Sequence, residues 1–206
     1  GYYALDVTDP TLAASQVVKW EISNNSPGYA NLGFTFSEVA YKTLPNGDKG
    51  LIFANGFGGN GTATLYIASP QNGQRLAFVQ VDGSADNGLS SPVVLDDPKS
   101  DNLVAYAGDL KGNLWKFIIG VDAGGSITIN HKKIFEAGSN RPITARPDAY
   151  AIHPFSNDEG AIVSFGTGSY LTSADHSNTD SQALIVIGDP DISTNNIPTL
   201  TYNNLV

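Results

Sequence analysis

The chain has no cysteine and only 11 lysines and arginines among 206 residues, and its longest apolar run is far too short to cross a membrane. The first absence removes disulfides, thiol nucleophiles and thiolate metal sites together. The second, with 20 acidic residues and a formal charge of −9, argues against binding a nucleic-acid backbone, which depends on clustered cations. The third excludes a helical span, which needs about 18 to 20 apolar residues. The opening "GYYALDV" reads as a strand rather than a signal peptide. A low charge fraction and many Asn, Ser, Thr and Gly residues suit an exported surface.

What is present is the vocabulary of strands and turns: 22 Gly, 11 Pro, and short apolar runs separated by Asn, Asp, Gly and Ser. The chain is expected to be all-β. It also repeats. "TFSEVAY", "LSSPVVL" and "TARPDAY" align with Ser37, Ser91 and Arg146 in one place, at steps of 54 and 55 residues. Second strands "GLIFANG", "LVAYAGD" and "AIVSFGTG" align on Gly56, Gly108 and Gly166, and third strands follow in "ATLYIA", "NLWKFI" and "QALIVIG". Fourth strands fit "RLAFVQV", part of "SITINHKKIF", and "TLTY".

Four short strands in a recurring unit of about 55 residues mark propeller blades. "YYALDV" and "VVKWEI" supply the third and fourth strands of a further blade. The expected architecture is a partial propeller of about three and a half four-stranded, quinoprotein-like blades. Residues 1–206 form one region, with two strands at 1–24 and blades at about 28–83, 84–137 and 140–206. Strand edges left open by an incomplete ring are templates for pairing with another chain.

Each conspicuous residue has a structural reading. Gly56, Gly108 and Gly166 serve turns, bulges or close backbone approach. "NGFGGNGT" (55–62) lacks the Lys-Ser/Thr of a phosphate loop and is a hairpin loop. Trp115 and Phe117 are expected between adjacent blades, and Asp109 is expected to cap the "GDLKG" turn. Thr35, Ser37, Ser90, Ser91 and Thr144 are expected along the central channel. His131 and His153 have no ligand-spaced companion. The loop "SADHSNTDSQ", with Asp175, His176 and Asp180, reads as a polar surface loop. There is no G-x-S-x-G or H-E-x-x-H motif, so no enzyme is expected.

"YYALDVTDP", "ATLYIASPQNGQ", "NGLSSPVVL" with "AYAGDLKGNLWKF", "RPITARPDAY" and "VSFGTGSYL" together resemble the C-terminal propeller of the PilY/PilC-type proteins of bacterial type IV pili, over nearly the whole chain. The resemblance implies a non-enzymatic, exported pilus-tip or outer-surface protein. Such proteins promote pilus assembly or oppose retraction, support twitching motility, and adhere to host or abiotic surfaces. The implied partners are minor pilins and other tip components. A scaffold recruiting outer-membrane assembly partners, or a fragment of a quinoprotein dehydrogenase, are the alternatives.

The resemblance also implies a calcium loop, D-x-D-x-D-G-x-x-D, between first and second strands of one blade, used as a switch. The matching stretch, "VVLDDPKSDNLVAY", offers only Asp96, Asp97 and Asp101. Asp96 and Asp97 are adjacent rather than alternating, the bend glycine is missing, and Asn102 or Leu103 holds the last acidic position. These three are the metal candidates of a degenerate calcium loop. The expected state is a solvated acidic turn, with Asp97→Ala nearly silent and calcium regulation not carried over.

Overall fold

A computed structural model describes all residues except 10, 60, 156, 157 and 206. Strands β1 (Tyr2–Leu5) and β2 (Val18–Ile22) form a two-stranded sheet, with a helical turn α1 (Ala14–Val17) between them. The second sheet is the meander β3 (Ala40–Thr43), β4 (Lys49–Ala54), β5 (Thr64–Ala68) and β6 (Arg75–Gln80). The third holds β7 (Val93–Asp96), β8 (Leu103–Gly108), β9 (Asn113–Val121) and β10 (Ile127–Glu136). The fourth has β11 (Asp148–Phe155), β12 (Asp158–Gly166) and β13 (Leu184–Asp189).

Three apolar cores lie between the four sheets, and strand alternation assigns side chains to them. In β4 and β5, Phe53 and Tyr66 face the first sheet with Ile22, Tyr29 and Leu32, while Ile52, Leu65 and Ile67 face the third. In β8 and β9, Leu103, Ala105, Trp115 and Phe117 face back toward the second sheet, and Val104, Tyr106 and Leu114 face forward toward Val163, Phe165 and Ile187 of the fourth. Middle sheets are therefore buried on both faces. This explains why "LVAYAG" is apolar without alternation. Burial of each large side chain stabilises by about 1.5 to 3 kcal/mol. Trp115 and Phe117 pack between sheets as the sequence predicts.

A polar residue ends the second strand of each unit and repeats one geometry. Asn55, Asp109 and Thr167 each accept, through a side-chain oxygen, the N–H that begins the third strand: Thr64, Asn113 and Ala183, all at 2.9 Å. Each also donates its own N–H to the carbonyl of that same residue. The structural register thus matches Ala54 with Gly108 and Gly166, so Gly56 lies two residues beyond the position equivalent to them. Gly56 does need its conformation, at φ +70°. Gly108 is required for a different reason, because a Cβ there would lie 2.1 Å from Ile143. Gly166 has neither constraint.

"TLTY" does not add a fourth strand to the last sheet. Strand β14 (Leu200–Thr201) pairs in parallel with β10, Leu200 beside Phe135. The cause lies in the preceding segment: Ile192 and Ile197 are buried in the core between the third and fourth sheets, and Lys116 Nζ holds the carbonyls of Asp191 and Thr194. This draws the chain across the rim and leaves β13 as an edge strand.

Candidate docking surfaces and the acidic loop

The acidic loop follows β7. Asp96, 75% exposed at its side chain, points toward the second sheet and pairs with Lys42 Nζ at 2.8 Å. Asp97 turns the other way and is only 4% exposed. Its carboxylate accepts the Lys99 N–H at 3.0 Å, Ser100 Oγ at 2.7 Å and Ser193 Oγ at 2.9 Å. The adjacency of the two aspartates, with strand alternation, sends them to opposite sides. Asp101 is exposed. The structure does not gather the three carboxylates, and among the described residues no group of three or more His, Asp or Glu could hold a metal ion. Nor is Asp97 the solvated residue the sequence suggested: it ties the loop to the segment after β13.

The second polar loop has its own internal order. Asp175 Oδ2 accepts the N–H groups of Thr172 and Leu171 at 2.8 and 2.7 Å, capping a short 3-10 turn, Ser173–Ser177. These donors hold its carboxyl below the usual range. His176 stacks on Tyr170 with centroids 4.8 Å apart, and Asp180 is exposed. His131 packs against Trp115 and Phe117. The side chain of His153 lies outside the described residues.

The first strands contribute links between units. Ser91 Oγ accepts the N–H of Glu38, and Arg146 Nη1 lies 3.0 Å from Glu38 Oε2, joining the first strands of the second and fourth sheets. Thr144 Oγ1 donates to Gly168 O. Ser90 is buried, accepting the N–H of Gly108 instead of lining a channel.

One buried group escaped the sequence reading. Lys116 Nζ lies 2.6 Å from Asp189 Oδ2 between the third and fourth sheets, and Tyr106 Oη donates to the same oxygen at 2.7 Å. Burial pulls the ammonium down from its ordinary value, and Asp189 opposes that shift. The signal was available: a lysine inside "NLWKF" lies on the strand face opposite Trp115, where the unit otherwise places apolar residues.

Two apolar surfaces are open among the described residues. Strand β13 has, among those residues, no ladder partner on its outer side. Its outward residues, Leu184 (80% exposed) and Val186, join Tyr150 and Ile162 in an apolar face on the last sheet. The first sheet likewise exposes Tyr3, Leu5 and Val18. Unguarded edges and apolar sheet faces mark association surfaces.

The profile of the PilY1 beta-propeller domain matches residues 1–206. The chain belongs to that family. It is 32% identical to the type IV pilus biogenesis factor PilY1 of Pseudomonas aeruginosa PAO1, over all of this chain and 20% of that protein. A PilY1 homolog from Xylella fastidiosa is also 32% identical, over 91% of this chain and 14% of the relative. The crystal structure of the P. aeruginosa PilY1 C-terminal domain superimposes with a TM-score of 0.77 at 31% identity, covering 98% of this chain and 46% of that one. This PilY1-family chain thus has the β-propeller fold and spans about a fifth of the P. aeruginosa relatives it matches. Among the described residues no helix is long and apolar enough to cross a membrane.

Proposed function

We propose that this protein is a non-enzymatic component of type IV pili, exposed at the pilus tip or outer surface. It promotes assembly or opposes retraction, and so supports twitching motility and adhesion to host or abiotic surfaces. The match of the PilY1 propeller family along the whole chain carries this reading. Its contacts are with minor pilins and other tip components, by addition of a strand to β13 or by docking on a sheet face. The open β13 edge, with Leu184 and Val186 outward, supports the strand-addition route.

The test is genetic and structural together. Deleting the gene should remove surface pili, and disabling retraction should restore them in part. Val186→Lys places a charge beside the open edge, and it should reduce piliation and twitching while leaving the thermal melt of the purified protein in place. Normal pili after deletion would refute the pilus role; normal pili with Val186→Lys alone would refute only the β13 route.

A further inference from the structure

A cavity of about 500 Å³ opens on one end of the sheet stack, within the usual size of ligand sites. Its walls come from the second, third and fourth units: Phe34, Phe36 and Phe57, then Leu110, then Leu171, with Asp86 at the lip. Phe34 and Phe36 are 67% and 74% exposed although their rings are fully apolar.

The walls are fixed by backbone bonds rather than by an occupant. Phe34 and Phe57 form a two-way bridge, with Phe34 N–H to Phe57 O at 2.6 Å and Phe57 N–H to Phe34 O at 3.3 Å. Leu89 bridges both Gly56 and Asp109, which locks the second unit to the third. Leu110 is held by its N–H to Gly88 O and to Asn87 Oδ1. Glycine keeps the floor low, since a Cβ on Gly58 would sit 2.7 Å from the Phe34 ring. The cavity is therefore preformed, which spares an occupant the ordering cost.

Asp86 decides what fits. Among the described residues it is the only charged one in the lining, and it holds φ at +56°, a conformation that side-chain-bearing residues adopt at a cost. No hydrogen bond or ion pair engages its carboxylate among the described residues. A wholly apolar occupant would cover that carboxylate without compensation, which is strongly unfavourable. An anionic occupant would be repelled by Asp86, with no lysine or arginine among the described lining residues to offset it. A cation beside an apolar group satisfies both features, pairing with Asp86 and lying against the exposed faces of Phe34 and Phe36.

We propose that this cavity receives an apolar side chain of a partner polypeptide that carries a lysine or arginine next to it, the cation meeting Asp86. This rests on the reading that the protein works through protein contacts. The charge of the whole chain, −9, draws such a basic segment in from a distance.

The test needs no pilus and so separates this inference from that reading. Nitrogen-15-labelled protein is titrated with the peptide acetyl-Leu-Lys-Phe-Lys-amide and, separately, with the analogue carrying Glu at both Lys positions. The expected result is saturable shifts at the amides of Gly58, Gly59, Gly61, Leu110 and Thr172 with the lysine peptide, and roughly tenfold or weaker affinity for the glutamate peptide. Asp86→Asn should bring the two affinities together, and Phe36→Ala should weaken both. Asp86→Gly, which removes the carboxylate and relieves the backbone, keeps the test valid if the asparagine variant fails to fold. Equal binding of the two peptides, shifts on another surface, or no saturation at millimolar peptide would overturn the proposal. So would cavity shifts that appear on dilution alone, which would assign the surface to a second copy of the chain.

Discussion

Lys116 Nζ lies 2.6 Å from Asp189 Oδ2 with both side chains wholly removed from water. The ammonium has three acceptors, Asp189 Oδ2 and the carbonyls of Asp191 and Thr194, which matches its three donors. The pair therefore fastens the crossing segment to the third sheet while Tyr106 completes the carboxylate. Breaking such a pair from one side strands a buried charge and costs about 3 to 5 kcal/mol. Lys116→Met should lose that amount in urea unfolding. Lys116→Met with Asp189→Asn, which keeps an acceptor for Tyr106, should lose much less than the two single changes together. Additive losses would mean the pair is not coupled.

Asp109 makes a second demand of the same kind. Its carboxylate accepts the N–H groups of Lys111 and Asn113, the side-chain amides of Asn113 and Asn87, and Trp115 Nε1 at 2.8 Å. Asn87 belongs to the connection from β6 to β7, so the group joins hairpin, aromatic anchor and linker. Asp109→Asn turns donor against donor and should cost at least about 1.5 to 3 kcal/mol. Trp115→Ala should cost about 3 to 5 kcal/mol through lost volume. Trp115→Phe should fall between, retaining the ring but leaving one carboxylate bond unmade. A near-zero cost for Trp115→Ala would contradict its place between the sheets.

These residues show what the sequence could and could not convey. The spacing of Ser37, Ser91 and Arg146 carried the unit length, and the apolar runs carried β4, β5, β8 and β9, because a propeller repeats its local chemistry. Register was less legible. Gly56 is conspicuous, yet the repeated feature is the polar cap at Asn55, Asp109 and Thr167, whose residue types differ while their hydrogen bonds coincide. The place of Lys116 among apolar positions signals something unusual, but its partner, Asp189, is 73 residues away on another sheet and has no local signature. The course of residues 190–201 depends on that same pairing, so "TLTY" looked like a fourth strand from its local pattern alone. Asp97 looked solvated for a like reason: Ser193, which receives it, is distant in sequence.

Asp97 supplies a third prediction. Its carboxylate is already occupied by the Lys99 N–H and by Ser100 and Ser193 hydroxyls, and one of those bonds crosses to the segment after β13. Asp97→Ala should therefore destabilise by roughly 1 to 3 kcal/mol, and Asp101→Ala should change little. Calcium would have to displace these donors to use Asp97. Titrating millimolar calcium into chelator-treated protein should release no binding heat and leave the melting temperature unchanged. A raised melting temperature would mean mass-action stabilisation by bound ion, and its loss in Asp97→Ala would place the ion at this loop.

Alkaline pH should unfold the protein through its buried tyrosines. Burial pushes the hydroxyls of Tyr2, Tyr29 and Tyr66 up to about 12, and Tyr106 is raised further by burial and by the neighbouring Asp189 carboxylate. In the unfolded chain each ionises near 10. Above that pH the unfolded state has lost protons that the native state keeps, so stability falls as pH rises. The contribution of these groups is fully present below pH 10 and drains away between about 10 and 12, at roughly 1.4 kcal/mol per pH unit for each tyrosine. Urea unfolding measured at intervals across that window should show the decline, with tyrosinate absorbance from these rings appearing only as the β-sheet signal disappears. Tyr2→Phe should reduce the slope by one tyrosine's share. A flat profile to pH 12 would mean that these hydroxyls reach solvent in the native state, and the cores between the first and second sheets and between the third and fourth would then be more open than their packing indicates.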